Sequence, residues 1–439
     1  MKSQKHVPGC CAQIKGNFAQ RVHQSQRLFF GTIIHILQQP LFGIMSRLSY
    51  HIRYLFVSVI LLCLGVVLTQ QAQSGELRRP VQGIRNLGMG NTGIALSFDE
   101  NALFYNPAGL ASVDSILVGF PILIEVSDDS VNIVNDISKL SGDSKTADIV
   151  ALLMGKRVHF RGLIDLNLIM PFGELMTFGV AGGYETQFDL GVRNPVSIEI
   201  DYGFRLDRIQ NMGFAMPVAR GRWLVGAGVE TIERCDIPLT TATIGTILTN
   251  TKLSGSFGSC ELTNLKRAQT FNFGFQRRLE TASALKMIWG MTANNVGGLK
   301  FKRSDNETSP ADQNPEYSMG LSWQPSWGPV RMLYAIDLRD ITMKHADDTY
   351  CQSNKGTDCI WKRLHIGTEL GIFPIDSGAS TIALRAGFNQ GYFTYGFELN
   401  PFIFFRGFNI QYAVYKTETG DKIGDRPDKR KVLQLNFGF

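Results

Sequence analysis

The chain runs to 439 residues, 44% of them hydrophobic and 19% charged, an ordinary folded-protein composition that excludes an intrinsically disordered chain. A formal net charge of +6 suggests a nucleic-acid binder, but residues 1–74 hold seven Lys or Arg and no acid, so the remainder sums to 6 − 7, or −1. Charge therefore gives no reason to expect a nucleic-acid partner, and after residue 74 no stretch approaches the roughly 18 apolar residues of a helical membrane span.

The basic leader contains an apolar core, Tyr54 to Leu68, preceded by Arg47 and Arg53 and followed by the small-residue exit Ala72-Gln73-Ser74. This order predicts a signal peptide over residues 45–74 with cleavage before Gly75. Met45 then reads as the start, and residues 1–44 as an over-extended N-terminus. A mitochondrial transit peptide shares the acid-free composition and is the alternative. Cys63 has no lipoprotein-type context.

Residues 75–114 follow, and within them Gly88-x-Gly90-x-x-Gly93 matches the dinucleotide fingerprint letter for letter. The fingerprint requires a preceding buried strand, a following helix and a βαβ unit, and all three are missing. Three close glycines instead suit a backbone threading a tight space through positive-φ turns. Further on, Asn106-Pro107-Ala108-Gly109 predicts a rigid, buried bend: Pro107 excludes the helical region for Asn106, whose side chain is expected to bond nearby backbone.

From residue 115 to 439 the pattern has period two. Trp223, Val225, Ala227 and Val229 alternate with Gly226, Gly228 and Glu230; Phe271, Phe273 and Phe275 alternate with Asn272, Gly274 and Gln276; Ile382, Leu384, Ala386 and Phe388 alternate with Thr381, Arg385 and Gly387. The chain ends on the alternating Leu433, Leu435, Phe437 and Phe439, with Gln434, Asn436 and Gly438 on the other face. Such segments predict strands at 115–127, 158–170, 175–188, 205–218, 221–232, 267–279 and 284–294, then at 315–324, 329–342, 361–373, 379–389, 391–401, 404–416 and 429–439. About fourteen strands, an even number, with short turns alternating with long polar loops, predict an all-β, antiparallel transmembrane β-barrel. Only a closed sheet satisfies every backbone group that faces hydrocarbon. The parity of the loops puts both chain ends on the short-turn side, and Trp223, Trp289, Trp323, Trp327 and Trp361 near strand ends would form aromatic girdles.

Of seven cysteines, three lie in the leader. Cys235 with Cys260, and Cys351 with Cys359, fall in two long loops and are expected as disulfides within each loop. No Cys-x-x-Cys spacing supports a metal site. Alternation turns Glu230, Asp337, Arg339, His365, Glu369, Arg385 and Glu398 toward the lumen, either as a network gripping the plug or lining a path, or as ordinary polar lining. No Gly-x-Ser-x-Gly, His-Glu-x-x-His or other nucleophile signature is present, so neither an enzyme nor a cofactor is expected. The loop 128–157 carries a helix-prone stretch, Ala147 to Met154, suited to ligand capture or to docking a partner.

Arg85-x-x-Gly88-x-Gly90, the Asn106-Pro107-Ala108 motif just ahead of a fourteen-stranded pattern, Asn294-Asn295-x-Gly297, Ala335-Ile-Asp337 and the terminal Phe439 together resemble the FadL-type outer-membrane transporter superfamily, including its PorV-like branch. The resemblance implies an N-terminal lumenal hatch formed by Arg85, Gly88, Gly90, Gly93, Asn106, Pro107, Ala108 and Gly109. It also implies a location in the bacterial outer membrane, in contact with its lipid, and passive passage of hydrophobic or amphipathic small molecules governed by the hatch and an opening in the wall. A protein-binding role in an export or envelope-assembly apparatus, with an envelope protein as partner, is the alternative that the PorV-like branch implies.

Overall fold

The computed structural model describes residues 72–73, 81–96, 99–137, 152–193, 199–243, 260, 264–280, 286–303, 310–327, 330–345, 348, 351, 353, 356–375, 380–401, 408–419, 422–424 and 427–438. Fourteen strands form the wall: β1 Leu117–Ser127, β2 Arg157–Phe172, β3 Met176–Arg193, β4 Glu199–Val218, β5 Trp223–Thr243, β6 Lys266–Glu280, β7 Lys286–Val296, β8 Glu316–Gln324, β9 Val330–Leu338, β10 Leu364–Pro374, β11 Ser380–Asn389, β12 Tyr392–Leu399, β13 Phe408–Glu418 and β14 Pro427–Gly438. Each pairs antiparallel with its sequence neighbours, and β14 returns to β1 with Gly438 opposite Gly119, closing the ring. Ser326–Trp327 adds only a two-residue spur on β9.

The two faces of the wall separate by chemistry, as period-two alternation dictates. Phe271, Phe273, Val225 and Leu384 are 52, 47, 42 and 50% exposed, whereas Asn272, Glu369, Asp337 and Arg385 on inward positions are buried. Among the described residues no helix is long and apolar enough to cross a membrane. A closed sheet with an apolar exterior and a polar interior is a transmembrane barrel. Aromatic residues cluster near the short-turn end, where Trp223 lies 4.9 Å from Phe275 and Phe275 lies 5.8 Å from Trp289. Such rings, apolar with a polar edge, suit the membrane–water boundary.

The structure corrects several sequence expectations. Strands β4 and β5 run to 20 and 21 residues, far beyond the 9–11 or so that a bilayer requires, so they project past it on the long-loop side. Cys235 therefore sits on a strand, opposite Leu206, and not in a loop, yet it bonds Cys260 as expected, and Cys351 bonds Cys359. Trp361 does not open a strand. It lies on helix Thr357–Arg363, where Arg363 is buried between Asp340 and Asp348 at 2.8 Å from each. Strand β9 stops at Leu338, because Asp340 and Met343 adopt positive φ and turn the chain. The loop after β1 begins with a helix, Asp128–Ile137. The residues 1–71 and 74–80, most of Ala147 to Met154, the Trp327 side chain and Phe439 lie outside the described residues.

Inside the ring, residues 81–96 and 99–113 lie against the inner face of the wall. They form helix α1 (Ile84–Gly88), helix α2 (Ala102–Tyr105) and a 3-10 segment (Pro107–Ser112). Parity placed both chain ends on the short-turn side. The wall obeys this, since β1 begins and β14 ends there. Ahead of the lumenal chain, Ala72–Gln73, within the expected signal peptide, pairs with Lys422–Ile423 in the long connection between β13 and β14. The lumenal segment reaches the wall at the short-turn end, where β1 begins.

Candidate functional site

The lumenal segment is held first by charge. The Arg85 guanidinium donates to both Glu369 oxygens, at 2.8 and 3.0 Å, and to Asp99 at 2.8 Å. Bidentate pairing of this kind is both strong and directional. Glu369 also accepts from Arg385 at 2.8 Å and Arg331 at 3.4 Å, and Arg385 continues the chain to Glu398. Burial by itself would lower the Arg85 pKa, but the carboxylates of Glu369 and Asp99 outweigh it and hold the group above its ordinary value. Asp337 accepts the consecutive amides of Gly93 and Ile94, at 2.6 and 3.0 Å. Nδ1 of His365 donates to the Gly90 carbonyl at 2.8 Å, which fixes its tautomer. Of the inward residues marked in the sequence, Asp337, His365 and Glu369 hydrogen-bond the segment directly. Arg385 and Glu398 stand behind Glu369, Arg339 stacks over the Tyr105 ring at 4.7 Å, and Glu230 accepts from Asn272 at 2.9 Å.

Further along, shape replaces charge. Asn106 is extended (φ −159°, ψ 104°), as a residue before proline must be. Its Oδ1 accepts the Ala108 amide at 3.1 Å and its Nδ2 donates to the Ile94 carbonyl at 2.7 Å. This bend presses into a trough of the wall where Gly226 of β5 pairs directly with Gly274 of β6. A Cβ on Gly226 would lie 2.5 Å from the Ala108 nitrogen, and one on Gly274 only 2.1 Å from Asn106 Oδ1. The paired Gly367 of β10 and Gly387 of β11 receive Met89 and Gly90 in the same manner. Of the three glycines in the Gly88-x-Gly90-x-x-Gly93 run, only Gly90 has positive φ (67°). Gly88 and Gly93 are there for close approach: a Cβ on Gly88 would lie 3.3 Å from Gly396 Cα, and one on Gly93 2.2 Å from the Tyr105 ring.

These wall glycines, with Thr394, Gln276, Ser322 and Asn211, are the partners the sequence reading missed. Thr394 Oγ1 accepts the Gly90 amide and donates to the Gly88 carbonyl. Gln276, Ser322 and Asn211 donate to the carbonyls of Ile94, Ala95 and Leu103. A usable signal did exist: glycine recurs at inward positions of successive strands, where an unoccupied lumen would need no small residue.

Above α2, on the long-loop side, lies a small open pocket bounded by Val81, Phe104 and Tyr105 below and by Glu230, Asn294, Glu316 and Arg339 of the wall. The seam between β1 and β2 is interrupted over two consecutive pairs. The β1–β2 ladder pairs Gly119 with Asn167 and resumes only at Ile122 with Ile164. Pro121 has no amide to give, and the Leu166 amide turns instead to the buried Asp165 carboxylate at 2.9 Å.

No family model matches the sequence, and no curated protein does. Among solved structures, the Ralstonia pickettii toluene transporter TbuX is 12% identical over 81% of this chain and 98% of its own, with a TM-score of 0.46. The Pseudomonas putida toluene transporter TodX is 10% identical over 83% and 99%, with a TM-score of 0.43. A Pseudomonas aeruginosa FadL homologue is 9% identical over 83% and 99%, at 0.37. Likeness at this level says nothing about individual residues, and function is decided at the site. The site here is a fourteen-stranded transmembrane barrel whose lumen holds an amino-terminal segment bonded to its wall.

Proposed function

We propose that the chain is a passive outer-membrane channel of the FadL type for hydrophobic or amphipathic small molecules. In this reading it is exported by the signal peptide at residues 45–74, and residues 75–114 act as the hatch. The observation that carries the reading is the seat of the lumenal segment: a lumen filled along its axis, with Arg85, Asp337 and Asn106 bonded across it, cannot pass hydrated solutes as an open porin does. The interrupted seam beside Pro121 supports it, because an apolar molecule needs a way into lipid that avoids the aqueous mouth, and two consecutive ladder pairs are absent there. Buried inward charges serve here to hold the hatch.

The test is conductance in planar bilayers alongside passage of an apolar reporter into liposomes. The full chain should conduct ions negligibly yet pass the reporter, and deletion of Glu76 to Ala111 should raise conductance to porin-like levels. Strong ion conductance by the full chain, unchanged by the deletion, would falsify the reading.

A further inference from the structure

The cavity above α2 has a chemistry that narrows the ligand, and the argument rests on the channel reading. We propose that it selects small amphipathic molecules with an aromatic-sized apolar body and an uncharged, hydrogen-bonding head, over bare hydrocarbons and over carboxylate or ammonium amphiphiles. Its floor is the half-buried Phe104 with Tyr105 and Val81, all from the hatch. These give an apolar body a flat surface of about the size of one ring.

The rest of the lining is polar. Asn294, Asn295 and Gln313 bring carboxamides, each able to donate and accept. A hydrocarbon resting against them would strip their water and return no hydrogen bond, which is costly for buried polar groups. The formal charges among the lining residues are the carboxylates of Glu230 and Glu316 and the guanidinium of Arg339, with His345 at the rim. An anionic head would face two carboxylates against the single guanidinium of Arg339, which lies over the Tyr105 ring. A cationic head would enter beside that same guanidinium. A hydroxyl or amide meets neither penalty, and it can exchange with the water the carboxamides lose.

The experiment uses one body with four heads. Toluene, benzyl alcohol, benzoate and benzylamine are titrated against the full chain in lipid nanodiscs, with binding read by calorimetry. Benzyl alcohol should bind about tenfold more tightly than any of the other three, the worth of roughly one well-made hydrogen bond. The double variant Asn294→Leu, Gln313→Leu should move the preference to toluene, with retention of the folded barrel checked by its heat-dependent gel mobility. Toluene, benzoate or benzylamine binding as tightly as benzyl alcohol overturns the proposal, as does an unchanged order in the folded double variant. Liposome flux of the same compounds separates the two levels. Flux without this order sinks the head-group assignment alone, whereas free ion conduction with no flux of any compound sinks the channel reading beneath it.

Discussion

The hatch is held in two ways along its length, and the contrast separates what can be switched from what cannot. Residues 84–94 are bonded through charge and directed hydrogen bonds to β9, β10 and β12: Arg85 to Glu369, Gly90 to His365 and Thr394, Gly93 and Ile94 to Asp337. Residues 106–110 are seated mainly by fit, with the bend at Pro107 pressed against backbone where Gly226 and Gly274 present no side chain. Directed polar bonds exchange for water when the segment moves. A steric seat has no such substitute, since close packing tolerates no intermediate position. The first half combines both kinds of hold, since Gly367 and Gly387 also seat Met89 and Gly90, while the second relies mainly on fit.

The largest expected effect comes from breaking the charged half. Arg85→Met removes the ion-pair partner of the buried Asp99 and one of the three arginines on Glu369, and should cost about 3 kcal/mol, the lower end of the penalty for breaking a buried pair. Equilibrium unfolding in lipid vesicles measures it. The double variant Arg85→Met, Glu369→Gln should recover part of the loss, and an additive result would show that the two do not act as a pair. Next is a change in the wall that spares the hatch. Phe273→Arg, on the lipid side of the strand whose Gly274 seats the bend, should cost about 2–4 kcal/mol with the lumen still closed to ions. Asn272, its lumenal neighbour, is no neutral control, since it donates to Glu230 and accepts the Asn295 amide.

Gly274→Ala attacks the steric half directly. A new methyl 2.1 Å from Asn106 Oδ1 should cost about 1–3 kcal/mol by overpacking and raise protease sensitivity around residue 107 while leaving that around residue 85 unchanged. Equal sensitivity at both places would mean that the halves move as one body. The smallest effect belongs to Thr394→Val, which removes one hydrogen-bonding hydroxyl at Gly90 for about 0.5–1.5 kcal/mol. It should raise protease sensitivity near residue 90 alone.

All fourteen wall strands were legible in the sequence because a half-buried strand writes its environment into every second residue, as in Phe271, Phe273 and Phe275. Errors gathered where local rules compete with distant contacts. Trp361 looked like the start of a strand, yet the disulfide of Cys359 and the buried Arg363 draw its segment into a helix. Cys235 looked like a loop residue because nothing local says that β5 outruns the bilayer. Within the candidate site, Asn106-Pro107 announced its bend through backbone chemistry alone. The partner of Arg85 lies 284 residues away, and no local pattern names it. The inward charges were visible as a set, but which of them hold the hatch depends on how strands around a closed ring face a chain threaded through it.

The hatch precedes β1 in the chain, and its seat is made by strands that follow it, from β4 to β12. No route exists by which a finished barrel could take in this segment sideways, because β14 seals against β1 with Gly438 opposite Gly119. A sheet that closes on itself where β14 meets β1 can take this segment in while it is still open, like staves set about a mandrel before the hoop is driven on. The groove of glycines then serves as a gauge of assembly: a wall wound in the wrong register would set side chains where the core must lie, and the hoop could not be closed.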